Sequence, residues 1–108
     1  MAYVPRTNAT QNDPTLEAHA VTAIRESGAA EVVSAPPQMG AEDFAAFSRR
    51  VPGCYLFVGV RNEARGVTSM IHTPTFDVDE RCLRVGVDAM THALLDVGAR
   101  WSSLGLSR

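Results

Sequence analysis

Cys54-Tyr55-Leu56-Phe57-Val58-Gly59-Val60 is the most apolar run in the chain, and its reading decides the fold. It is rich in aromatic and β-branched residues and carries no charge. A run of this kind predicts a central strand covered on both faces. Pro52-Gly53, immediately before it, is a turn signal. Upstream, Glu31-Val32-Val33-Ser34 reads as a second, short strand between Gly28 and Pro36-Pro37. The double proline stops further ladder pairing.

Helices flank these runs. Asp13 can cap free backbone N–H groups, and Pro14 suits a first helical position, so a helix is expected near 14–27 with Leu16, Ala20, Val21 and Ile24 on one face. Gly28 stops it. A second helix is expected near 41–50, with Glu42 and Asp43 in its first turn and Phe44, Phe47 and Val51 on a buried face. A long polar loop over 61–76 follows. The last helix starts at Asp77 or Asp79, with Asp77 and Glu80 as a capping box. Its apolar stripe is Leu83, Val87, Met90, Leu94 and Val97, and Gly98 ends it.

Residues 1–12, with Ala2-Tyr3-Val4 extended, read as a linker or the end of a preceding lid-domain segment. Residues 13–98 read as the C-terminal part of a catalytic α/β domain, and 99–108 as a flexible tail. The expected class is therefore α/β, with helices packed on a small sheet. A sheet of two confident strands is thin and gains by joining strands from elsewhere.

A chain of 108 residues fits at most one domain. Its 45% hydrophobic and 20% charged residues are ordinary globular composition. The net charge of -2 implies no bulk attraction to nucleic acid or to an anionic membrane. All 10 basic residues are arginine, which suits the coding bias of a GC-rich bacterial genome. The N-terminus lacks an apolar signal core, and no stretch approaches a membrane span, so a cytoplasmic protein is expected. Asn8-Ala9-Thr10 matches the glycosylation triplet, read as chance without a secretion signal. Cys54 and Cys82 form no CxxC and read as buried thiols.

Among residues that could carry chemistry, His19 and His92 read as ordinary helix residues. His72 differs, lying in the long loop between the central run and the last helix, where α/β proteins place ligand groups. A lone histidine lacks the three or four ligands a zinc site needs. Glu42-Asp43 could serve a metal or a substrate amine, or simply complement a helix dipole. Asp77, Asp79 and Glu80 resemble a metal cluster, but helix initiation accounts for them. No phosphate loop or nucleophile elbow is present.

Three segments together resemble one family: Met39-Gly40-Ala41-Glu42-Asp43-Phe44, then Val51-Pro52-Gly53-Cys54-Tyr55-Leu56-Phe57-Val58-Gly59, then His72-Thr73-Pro74-Thr75-Phe76-Asp77-Val78-Asp79-Glu80. Tyr3, Pro5, Thr7 and Asn12-Asp13-Pro14 are loosely similar to a fourth stretch. The family is that of metal-dependent amidohydrolases and peptidases, in its branch of hippurate hydrolases, N-acyl-amino-acid amidohydrolases and auxin-conjugate hydrolases. The resemblance implies a partial catalytic domain of a zinc-peptidase-like fold. It implies two zinc or manganese ions that activate a water for attack on an amide carbonyl, with a glutamate as general base. It places a metal ligand at His72, and Gly40, Glu42 and Asp43 near the substrate. The other ligands, the base and the lid have no counterpart in this sequence, so no catalytic residue is assigned.

The expected function is the C-terminal portion of an enzyme hydrolysing N-acyl amino acids, hippurate-like, or small peptides, and inactive alone. Its partners would be that substrate and a separate N-terminal half; a homo-oligomer stays open. The alternatives are a non-enzymatic remnant or association module complementing such a half, and an unrelated small α/β binding domain.

Overall fold

The computed structural model describes residues 8–106. The expected extended stretch at Ala2-Tyr3-Val4, the loosely similar Tyr3, Pro5 and Thr7, and the last two residues of the tail lie outside that range.

Helix α1 spans Pro14–Ser27. The Asp13 carboxylate accepts from the N–H groups of Thr15 and Leu16, and Gly28 closes the helix in the left-handed region at φ 67°. Both ends thus follow the sequence signals. Leu16, Ala20 and Ile24 are buried as expected. Helix α2 is only one turn, Ala45–Ser48. Helix α3, Arg81–Arg100, runs 20 residues and continues into a 3₁₀ turn at Trp101–Ser103.

No strand forms among the described residues, and the α/β expectation is overturned. Among the described residues the only bridge is an isolated one between Asn62 and Val67, beside the 3₁₀ turn Glu63–Arg65. The backbone groups a neighbouring strand would take go elsewhere. Asn12 accepts from Tyr55 N–H at 2.7 Å and donates to Tyr55 C=O at 3.1 Å. Gly53 C=O accepts from Asp13 N–H at 2.8 Å, and Val60 C=O from Asp79 N–H at 2.9 Å. Val32 C=O takes the Arg25 guanidinium at 3.2 Å. Apolar, β-branched sequence describes a chain that suits a half-buried surface; it does not supply a pairing partner.

The two runs still pack. Ala30, Val32, Cys54 and Leu56 lie against a core of Ala20, Ile24 and Ala93. Val58 continues this side, with a methyl 3.7 Å from where a Cβ on Gly86 would sit. The other side is mostly open: Phe57 is 72% exposed and Val33 71% exposed, and only Tyr55 on it is partly covered, by the Phe44 ring. The central run is therefore covered on one face, not two.

Helix α3 shows the same inversion. Its small residues, Gly86, Ala89 and Ala93, face the run and α1. Most of the stripe expected in the core points to solvent: Leu83, Val87, Met90 and Leu94 are all more than half exposed, and Val97 is half-buried. Small side chains let the backbones approach closely, so this face is chosen for contact. The buried face expected on α2 is also open, with Phe47 and Val51 exposed.

The molecule is a slab of 48 × 45 × 18 Å with a radius of gyration of 16.2 Å. A compact domain of this length has a radius of gyration of about 13 Å. Its thickness allows one helical layer over one irregular layer, and no large side chain is fully buried among the described residues.

Candidate functional site

His72 sits at the tip of a tight turn. Thr73 Oγ1 donates to Met70 C=O at 2.7 Å, and Phe76 N–H to Thr73 C=O at 3.1 Å. Ser69 and Thr75 hydroxyls close the base of the loop at 2.8 Å. This folding holds His72 at φ 68°, making it the non-glycine residue with positive φ among those described. An L-residue occupies that region at a cost of about 1–2 kcal/mol. The imidazole is exposed, neither buried in apolar packing nor held by a partner among the described residues. Strain borne by an exposed histidine is the kind of outlier that points toward function.

The loop is anchored at its far end by Asp79. That carboxylate is buried, its side chain only 8% accessible. It accepts from Asn62 Nδ2, from Arg81 through both its guanidinium and backbone N–H, and lies 3.6 Å from Arg65. The Arg81 and Asn62 hydrogen bonds hold the Asp79 carboxyl well below the usual carboxylate range. Asp79 thus starts α3, and the expected Asp77–Glu80 box does not form: Asp77 instead accepts from Val78 N–H.

Glu42 is held separately. One carboxylate oxygen accepts from Phe44 N–H at 3.2 Å and the other from the Tyr55 hydroxyl at 3.0 Å. The hydrogen bond to Glu42 pushes the Tyr55 phenol up from its ordinary value. Phe44 and Phe57 rings flank Tyr55 at 5.4 and 5.3 Å. Asp43 is exposed, and so is Gly40, where an added Cβ would meet nothing within 4 Å.

The pieces do not make a metal centre. Among the described residues no three His, Cys, Asp or Glu side chains gather as metal ligands. His72 is therefore without companion ligands among the described residues, and a metal pair does not fit them. The remaining candidates are structural. His19 Nδ1 lies 3.5 Å from Asp96 across the α1–α3 contact, and His92 Nδ1 lies 2.8 Å from the Asp88 carbonyl of its own helix. Cys54 and Cys82 are free and half-buried. Burial, then the nearby Glu17 and Asp13 carboxylates, pushes the Cys54 thiol up, which suppresses its nucleophilic thiolate.

Tyr55, Asn12 and Asn62 were not singled out as candidates for chemistry by sequence reasoning. Asn12 and Tyr55 lie 43 positions apart, and no local pattern announces such a pairing. The one available signal was that both lie in segments shared with the family.

Comparison with known proteins places the chain among metal-dependent amidohydrolases and peptidases, as the three motifs implied. It belongs to the peptidase family M20/M25/M40, which it matches over residues 2–96. It is 45% identical over 71 residues to thermostable carboxypeptidase 1 of Saccharolobus solfataricus, covering 66% of this chain and 18% of that protein. It is 41% identical over 91 residues to the IAA-amino acid hydrolase ILR1-like 6 of Arabidopsis thaliana, covering 84% of this chain and 18% of that protein. It is 35% identical over 80 residues to an N-acetyldiaminopimelate deacetylase of Pediococcus pentosaceus, covering 74% of this chain and 20% of that protein. The chain thus spans about a fifth of the length of these relatives. No solved structure gives a significant match. No described helix is long and apolar enough to cross a membrane.

Proposed function

We propose that this chain is the C-terminal portion of a metal-dependent amidohydrolase that cleaves the amide bond of N-acyl amino acids, hippurate-like, or of small peptides. His72 supplies one ligand to a zinc or manganese pair whose other ligands come from the rest of a family-length enzyme. Gly40, Glu42 and Asp43 line the substrate side. The chain alone is inactive, and it works in the cytoplasm, a location in keeping with its two free thiols. The observation that carries the reading is His72 itself: exposed, held left-handed at a turn tip, in a segment shared with the family.

Titration with zinc or manganese, followed by calorimetry, is expected to give no tight stoichiometric binding, and hippurate no turnover. Tight binding with turnover would overturn the claim of inactivity. Joined to a family-length N-terminal portion, the segment is expected to restore hydrolysis, and His72→Ala to lower kcat by at least a hundredfold with folding unchanged. Full activity of that variant would remove His72 from the metal site.

The association-module reading draws on a different observation, the large apolar area left open on this slab. It differs in outcome: the segment would join an N-terminal portion and stabilise it without restoring turnover.

A further inference from the structure

We propose that Tyr55 is a positioning residue for Glu42, its hydroxyl holding that carboxylate so that the acceptor sites left open on it take the amide N–H of the substrate. This rests on the reading of the chain as part of an amidohydrolase, and names the residue that supports the substrate side of its site.

Tyr55 is itself fixed before it reaches Glu42. Its backbone N–H donates to Asn12 Oδ1 at 2.7 Å, and its C=O accepts from Asn12 Nδ2 at 3.1 Å. Its ring sits between Phe44, at 5.4 Å and tilted by 44°, and Phe57, at 5.3 Å and nearly edge-on at 80°. A tyrosine has few torsions to lose, so a fixed backbone and a packed ring set the place of its hydroxyl. That hydroxyl donates to one Glu42 oxygen at 3.0 Å, and the Phe44 N–H donates to the other at 3.2 Å. The Phe44 bond spans two positions and shapes a local turn. The Tyr55 bond spans 13 positions and ties the 40–43 segment to the 54–60 run.

The surroundings leave room for a ligand. Glu42 is half-buried, Ala41 and Asp43 are exposed, and a Cβ on Gly40 would meet nothing within 4 Å. A carboxylate offers about four acceptor sites over its two oxygens. Tyr55 and Phe44 use one on each oxygen, and what remains can only accept. The bond to Glu42 also pushes the Tyr55 phenol up from its ordinary value, as a charged acceptor does. An N-acyl amino acid brings a matching donor, the N–H of the amide to be cleaved. A glutamate left free would have to be ordered when substrate arrives, and ordering it beforehand strengthens binding rather than the chemical step. The signature of Tyr55 therefore lies in KM.

The test is a double-mutant cycle of Tyr55→Phe, which removes the hydroxyl and keeps the ring, with Glu42→Gln. It is run in the segment joined to a family-length N-terminal portion and assayed on hippurate. Tyr55→Phe is expected to raise KM about five- to tenfold while kcat moves less than about twofold. Glu42→Gln is expected to raise KM at least as far, and the double variant no further than Glu42→Gln alone. A wild-type KM for Tyr55→Phe overturns the proposal even where the variant melts earlier, because the hydroxyl is then only structural. Effects that multiply in the double variant overturn it too. The same cycle in the isolated chain, read as urea midpoints, is expected to be non-additive. Additive shifts there show that the hydroxyl does not hold Glu42, and they also defeat the proposal. The two readings fail separately. An active joined enzyme with an unchanged KM sinks the positioning role alone. A joined enzyme that hydrolyses no N-acyl amino acid sinks the hydrolase reading, with the Tyr55–Glu42 tie still measured in the chain.

Discussion

Asn12 is a side chain doing the work of a strand. Its amide accepts from and donates to the same residue, Tyr55, at 2.7 and 3.1 Å. Asn12→Ala leaves both of those part-buried backbone groups without a partner, and such groups cost about 1–3 kcal/mol each when orphaned. The variant is expected to unfold at clearly lower urea concentration than the wild type, while an unchanged midpoint would show that water replaces the amide fully. Asp79 plays the equivalent part at the start of α3. Its folded carboxyl is held well below the unfolded value of 3.8. Its contribution is therefore present above that value and is lost as pH falls through it toward the folded one. Asp79→Asn is expected to be less stable at neutral pH and to show a shallower fall in stability below about pH 4. Parallel acid limbs for the two proteins, by denaturant unfolding across pH, would remove Asp79 from that role.

Among the elements, glycines separate what is tight from what is open. At Gly53 a Cβ would lie 3.1 Å from the Phe44 ring and 3.3 Å from Ser48 Cβ, so the turn and α2 are locked by close approach. Gly53→Ala forces that packing apart and is expected to cost about 1–3 kcal/mol. At Gly86 the nearest atom is a Val58 methyl at 3.7 Å, an ordinary contact. Gly86→Ala then gains helix propensity and is expected to stabilise by up to about 1 kcal/mol. Thermal melts of the two variants should move in opposite directions; a fall for Gly86→Ala would mean α3 lies closer to the 54–60 run than its contacts indicate.

Taken whole, the chain is a thin plate with apolar residues on its open sides. Heat capacity of unfolding follows the surface newly exposed. Ordinary domains give about 12–15 cal/mol/K per residue. With so much surface already open, the isolated chain is expected to fall well below that range in calorimetry. A value within the range would mean that the open faces are covered in solution, and light scattering would then identify self-association as the cause.

What the sequence determined by itself is local and familial. The Asp13-Pro14 start and Gly28 stop of α1, its Leu16–Ala20–Ile24 face, and the three motifs that place the chain in its family were all legible, because each depends on neighbours a few positions apart. Which face of α3 is buried, and whether residues 54–60 pair as a strand, were not legible. Periodicity finds an apolar stripe but cannot say which of two apolar faces meets a partner. Only the tertiary structure set Gly86 and Ala93 inward and turned Leu83 and Leu94 outward, since close approach of backbones favours small side chains and depends on which segments the fold brings alongside.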